Sequence, residues 1–100
     1  MIRATTPTHT FTLPFETDQI KSLLISYGQH NHKLLDKRKE DCRLNGKEVI
    51  VRLTQEEANL FYTDLPVDIQ MRILTVAGDA LASEIRTVPY ERVINDEVLK

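Results

Sequence analysis

The chain has one cysteine, Cys42, no tryptophan and only three glycines in 100 residues. A lone thiol rules out an intramolecular disulfide, and glycines as scattered as Gly28, Gly46 and Gly78 cannot build a phosphate-cradling loop, which needs several close together. Charge of one sign is also missing. The 13 Lys and Arg against 15 Asp and Glu leave a formal charge of -2, so no overall field draws the chain to nucleic acid or to an anionic membrane. No apolar run approaches the roughly 20 residues of a bilayer span, and Met1-Ile2-Arg3-Ala4-Thr5-Thr6-Pro7-Thr8 carries no apolar stretch of signal-peptide type. These absences predict a chain made and kept in a cytoplasm. Its length suits a single domain that closes one core without metal or disulfide.

What is present is alternation. In Lys47 to Leu53 a period of two puts Val49, Val51 and Leu53 on one face and Glu48 and Arg52 on the other. In Asp68 to Ile73 it separates Ile69, Met71 and Ile73 from Asp68, Gln70 and Arg72 in the same way. His9 to Phe15 alternates Phe11, Leu13 and Phe15 with threonines and stops at Pro14, which cannot donate to a ladder. Leu23, Ile25 and Tyr27 mark another strand within Ile20 to Tyr27, followed by turn chemistry at Gly28-Gln29-His30-Asn31. Lys33 to Lys39, rich in cations, reads as an edge strand, because lysines there discourage edge-to-edge pairing.

The connections are equally legible. Asn45-Gly46 predicts a type I′ hairpin turn with positive φ at both central residues. Thr54-Gln55-Glu56-Glu57 has the capping-box spacing and predicts one or two helical turns from Gln55 to Phe61, ended before Asp64-Leu65-Pro66. Residues 67 to 76, a turn at Ala77-Gly78-Asp79 and a returning strand from Ala80 to Val88 form a last hairpin. The expected fold is therefore all-β, an antiparallel sandwich of about seven strands with one short helical turn. Its expected core is Phe11, Leu13, Leu23, Ile25, Val49, Val51, Leu53, Ile69, Met71, Ile73, Ile85 and Val88. The domain is expected to run from 9 to 88, with a polar segment at 1–8 and a carboxyl-terminal arm at 89–100.

No catalytic constellation emerges. His30 and His32 offer two metal ligands with nothing to complete the set, and both sit beside a glycine turn. Lys33, Lys37, Arg38 and Lys39 are followed at once by Glu40 and Asp41, with no interleaved aromatics to stack bases. Cys42 has no neighbouring histidine in sequence and reads as a small half-buried hydrophobe. Glu56 and Glu57 are adjacent on a helix and point about 100° apart, which defeats a general acid and base pair. The reading is a non-enzymatic chain with no metal, no cofactor, no small-molecule substrate, and no nucleic acid or membrane partner.

The stretches "PTHTFTLPF", "DCRLNGKEVIVRLTQEEANLF" and "VDIQMRILTVAGDALASEI" resemble small structural proteins of phages and prophages of Gram-positive bacteria. They are similar to the immunoglobulin-like amino-terminal domain of phage baseplate upper proteins, in which strand, "LTQEE"-type helical turn, strand and hairpin follow in this order. The resemblance implies an immunoglobulin-like fold and a non-enzymatic role in the virion as adaptor, decoration or assembly module, made in the host cytoplasm and bound to other virion proteins or to itself. The alternative is a small phage-encoded binding module that acts on a host protein, such as a defence inhibitor. The resemblance carries over no catalytic or binding residue.

In the arm, Tyr90, Val93, Ile94, Val98 and Leu99 are too apolar to be left wet without cause. Tyr90, Val93 and Ile94 share a helical face with Glu97, but a segment this short holds no helix in water without packing against something. It is expected to dock, preferentially on a neighbouring subunit or virion protein and alternatively across its own sandwich.

Overall fold

The computed structural model describes residues 1–100. Eight strands form two antiparallel sheets. They are β1 (Thr8–Thr12), β2 (Ile20–Gln29), β3 (His32–Arg38), β4 (Cys42–Asn45), β5 (Glu48–Arg52), β6 (Val67–Thr75), β7 (Ala80–Ala82) and β8 (Arg86–Val88). One sheet has the order β1-β5-β4; the other has β3-β2-β6-β7, with β8 on the same side of β6 as β7. This is the immunoglobulin arrangement, in which strands B, E and D of one sheet face C′, C, F and G of the other. β7 and β8 share the role of G. Strand A, which would pair with β1, has no counterpart.

Each crossing between sheets has a local cause. Pro14 ends β1, and a 3-10 turn at Thr17–Gln19 carries the chain to β2. A second, at Lys39–Asp41, joins β3 to β4. The helix α1 (Gln55–Ala58) starts where the capping box predicts: Glu57 N donates to Thr54 Oγ1 at 3.1 Å and Thr54 N donates to the Glu57 carboxylate at 2.9 Å. It is one turn long and does not reach Phe61.

Phe11, Leu13, Leu23, Ile25, Val49, Val51, Leu53, Ile69, Met71 and Ile73 are all buried, as their parity requires. Ile20, Tyr27, Ala58, Phe61, Val67 and Tyr90 join them. Of the two remaining expected core residues, Val88 is half-buried and packs against the core, whereas Ile85 is 61 % exposed. The cause is one extra residue. β7 pairs Ala82 with Arg72, whereas β8 pairs Arg86 with Ile69, so one more residue lies on the β7–β8 side than on β6. The break falls at Ser83, whose Oγ accepts the Met71 amide and whose carbonyl oxygen accepts from Gln70 Nε2. Past such a bulge every side chain changes face. Ile85 turns outward and Arg86 takes the inward position.

Two turns also differ from expectation. Asn45 is a paired strand residue opposite Glu48, and the turn is Gly46-Lys47 with positive φ at Gly46 alone, the sign pattern of type II′. Positive φ at both central residues occurs instead at His30 (50°) and Asn31 (64°), between the paired Gln29 and His32. A bulge at Leu34 follows, which explains why Leu34 and Leu35, adjacent in sequence, are both half-buried.

Residues 89–100 are not helical. The amino terminus donates to Pro89 O at 2.8 Å, and Ile2 forms a parallel bridge with Glu91. Tyr90 is a core residue of its own domain, edge-on to Phe61 at 5.7 Å between centroids. Its hydroxyl donates to Ala58 O and accepts from Arg3 Nη1. Farther along, Arg3 pairs with Asp96 at 2.7 Å, and the Gln55 amide exchanges two hydrogen bonds with the backbone of Leu99.

Candidate interaction surface

The missing first strand leaves one side of the sandwich open. There the free edges of β1 and β7 flank a groove of about 440 Å³ whose floor and walls include Phe11, Leu13, Phe15, Met71, Ile73 and Leu81. Leu81 has core parity opposite Ile73, yet it is 45 % exposed because nothing covers this side. Arg86, brought inward by the bulge, crosses the mouth. Its guanidinium stands 4.6 Å from the centre of the Phe11 ring and donates to Thr10 O at 3.2 Å. A cation over an aromatic face with its head at the solvent boundary is a stable way to occupy an apolar rim.

β1 also carries a partly buried polar contact to the other sheet. His9 Nδ1 and the Tyr27 hydroxyl are 2.8 Å apart, and the rings are tilted at 5.4 Å between centroids. Burial, reinforced by the amino terminus and Arg86, pushes the His9 pKa down to about 4. Burial also raises the Tyr27 hydroxyl far above its usual value. The pair is a neutral hydrogen bond between sheets. His9 shares parity with Phe11 and Leu13, so the alternation itself places it inward, whereas His30 and His32 stand out only by their His-x-His spacing.

The other candidates disperse. His30 and His32 are exposed at their turn, and nowhere do three His, Cys, Asp or Glu side chains come together in a metal-binding group. The basic run is partly consumed internally: Lys33 pairs with Asp36 at 3.0 Å, Lys37 with Glu57 at 2.6 Å, and Lys39 Nζ donates to Ile20 O at 2.9 Å. Glu57 is thus both cap and counter-ion. Burial pushes its pKa up, but the Lys37 ammonium and the Thr54 amide outweigh that and hold it below the usual carboxylate value. Cys42 is half-buried, its Sγ donates to Arg38 O, and burial together with Asp41 pushes the thiol up to about 11, where it is a poor nucleophile.

The arm residues separate into two kinds. Tyr90 is buried and presents nothing outward, while Val93 and Val98 are half-buried. Ile94 and Leu99 stay exposed and make no common patch with the groove. The groove itself was not visible in the sequence, because it follows from a bulge and a missing neighbour, neither of which has a local signature.

Compared with protein-family models, with curated proteins and with solved structures, the chain has no match. No helix is long and apolar enough to cross a membrane. Fold and surface therefore define the class of protein on their own: a small immunoglobulin-like sandwich with one open side.

Proposed function

We propose that this chain is a non-enzymatic interaction protein of a phage particle, serving as adaptor, decoration or assembly module and binding protein partners through the open side of its sandwich. The observation that carries the binding role is the uncovered groove between two free strand edges. Apolar walls beside unpaired backbone suit the docking of another chain, whereas the polar side chains near the groove do not converge as a reaction site requires. The phage setting is supported by the likeness of the three sequence stretches to phage structural proteins. Mass spectrometry of purified particles from a host that expresses the chain tests it. Stoichiometric presence is the expected result. Absence from particles, with a defined complex formed on a host protein, would replace it with a host-directed binding module.

A further inference from the structure

Four strand edges face solvent, and they are not alike. β3 carries Lys33, Asp36, Lys37 and Arg38 and is bulged at Leu34. β4 is four residues long and includes Arg43. The β7–β8 edge breaks between Ala82 and Arg86. β1 is five residues, Thr8-His9-Thr10-Phe11-Thr12, unbroken and without a formally charged side chain at neutral pH, His9 being held neutral. Charges, bulges and interruptions are how folded proteins keep edges from pairing with other chains. β1 lacks all three.

Its unpaired groups are identifiable. Leu53 N donates to Pro7 O at 2.9 Å and Leu13 N donates to Lys47 O at 2.8 Å. In an antiparallel ladder this alternation turns the N–H and C=O of His9 and Phe11 toward β5, and those of Thr8, Thr10 and Thr12 toward the open side. Of these six outward groups, Thr10 O alone takes a side-chain donor, Arg86.

We propose that two copies of this chain pair through their β1 edges, with Thr10 opposite Thr10 on a twofold axis, so that two three-stranded sheets become one six-stranded sheet. The proposal rests on reading the open side as an interaction surface and names its occupant. The edge is self-complementary. Antiparallel pairing about Thr10 sets Thr8 against Thr12 of the other copy, and every outward N–H meets an outward C=O. The exposed side chains of this strand are threonines at both ends and at the centre, which form favourable cross-strand pairs. Closed twofold pairing satisfies both β1 edges at once, so this contact ends at two copies.

Arg86 works against the pairing. It must release Thr10 O, and two guanidinium groups approach the axis. Variants therefore act with opposite signs. Thr10→Pro removes the outward N–H without touching the β1–β5 ladder, because a proline is tolerated where its missing donor faces solvent. Thr8→Lys with Thr12→Lys places charges on an edge whose two side chains are already exposed. Arg86→Gln removes the competing cation.

Light scattering and sedimentation across a concentration series of the full chain test this. The expected mass rises from one chain toward two. Thr10→Pro and the double lysine variant hold the chain monomeric with a folded amide spectrum, and Arg86→Gln tightens the dimer about a hundredfold, the scale of losing two charged hydrogen bonds, one in each copy. A wild-type chain that stays monomeric at millimolar concentration overturns the pairing, as does a double lysine variant that dimerises unchanged or an Arg86→Gln variant that dimerises less. None of these outcomes bears on presence in particles, which mass spectrometry reads separately.

Discussion

His9 Nδ1 lies 2.8 Å from the Tyr27 hydroxyl, joining β1 of one sheet to β2 of the other. Stability should therefore depend on pH in a defined window. The unfolded imidazole titrates near 6.5 and the folded one at about 4. Between those values the unfolded chain binds more protons, so stability is complete above pH 6.5 and falls as the pH drops toward 4. Allowing for solvent screening of a ring that is only partly buried, the loss is about 1–2 kcal/mol. Urea unfolding at pH 7.5, 5.5 and 4 measures it, and His9→Gln should flatten the slope in that window. A slope that survives the substitution assigns the titration to another group.

Gly28 sits in β2 opposite the β3 bulge, and a Cβ there would lie 2.6 Å from the backbone oxygen of His32. Backbone cannot step aside as a flexible side chain can. Gly28→Ala should cost about 1–3 kcal/mol, the range of overpacked positions, read as a lower denaturant midpoint. At Gly46 an added Cβ meets nothing within 4 Å. The cost of Gly46→Ala is then only that of positive φ, about 1–2 kcal/mol. Equal insensitivity at both positions would mean that the bulge does not hold the hairpin as closely as the geometry requires.

Most of the sandwich could be read from the sequence because parity is a strictly local property. Val49, Val51, Leu53, Ile69, Met71 and Ile73 announce their face by spacing alone, and Thr54 with Glu57 announces α1. What escaped depends on residues far apart. One extra residue between Ala82 and Arg86 sends Ile85 outward and Arg86 inward, and no local pattern marks it. Tyr90 lies outside any periodic run, and its burial comes from Phe61, Ala58 and Arg3, which are brought to it only by the fold. His9 is legible by parity, although His30 and His32 are the more conspicuous histidines of the sequence. The open groove required knowing that β1 has no outer neighbour, which is a statement about topology.

Lys37 and Glu57 tie β3 to α1 with side chains only 11 % and 22 % exposed. Removing one charge of such a pair costs more than removing both, since the remaining ion is left without a counter-charge. Glu57→Gln keeps an acceptor for the Thr54 amide but strands the Lys37 ammonium, and about 2 kcal/mol should be lost. Lys37→Met keeps the apolar stem and relieves the conflict, so the double variant should recover most of that loss. Thermal melts of the two single variants and the double variant give the coupling directly. Because the folded Glu57 pKa lies below its unfolded value, the contribution is present above about pH 4.5 and disappears as the pH falls through the folded value. A double variant as unstable as Glu57→Gln alone would show that capping, not charge pairing, sets the role of Glu57.

The packing of Tyr90 decides what the last twelve residues do for the domain. The ring is 7 % exposed, stands edge-on to Phe61, and its hydroxyl links Ala58 O to Arg3, while the amino terminus and Pro89 close the same end of the molecule. Tyr90→Ala should cost about 3 kcal/mol through the cavity it leaves, and Tyr90→Phe about 1 kcal/mol through the orphaned carbonyl of Ala58. A chain ending at Val88 should lose at least as much as Tyr90→Ala. Ile94→Ser and Leu99→Ser, whose side chains are exposed, should change stability by no more than about 0.5 kcal/mol. Denaturant titration of these five proteins at a concentration where each is monomeric separates packing within the chain from packing between chains. If the chain ending at Val88 keeps its midpoint, the burial of Tyr90 contributes nothing to the fold; if Ile94→Ser or Leu99→Ser lowers the midpoint as far as Tyr90→Ala, the segment is held by its distal residues and not by the aromatic anchor.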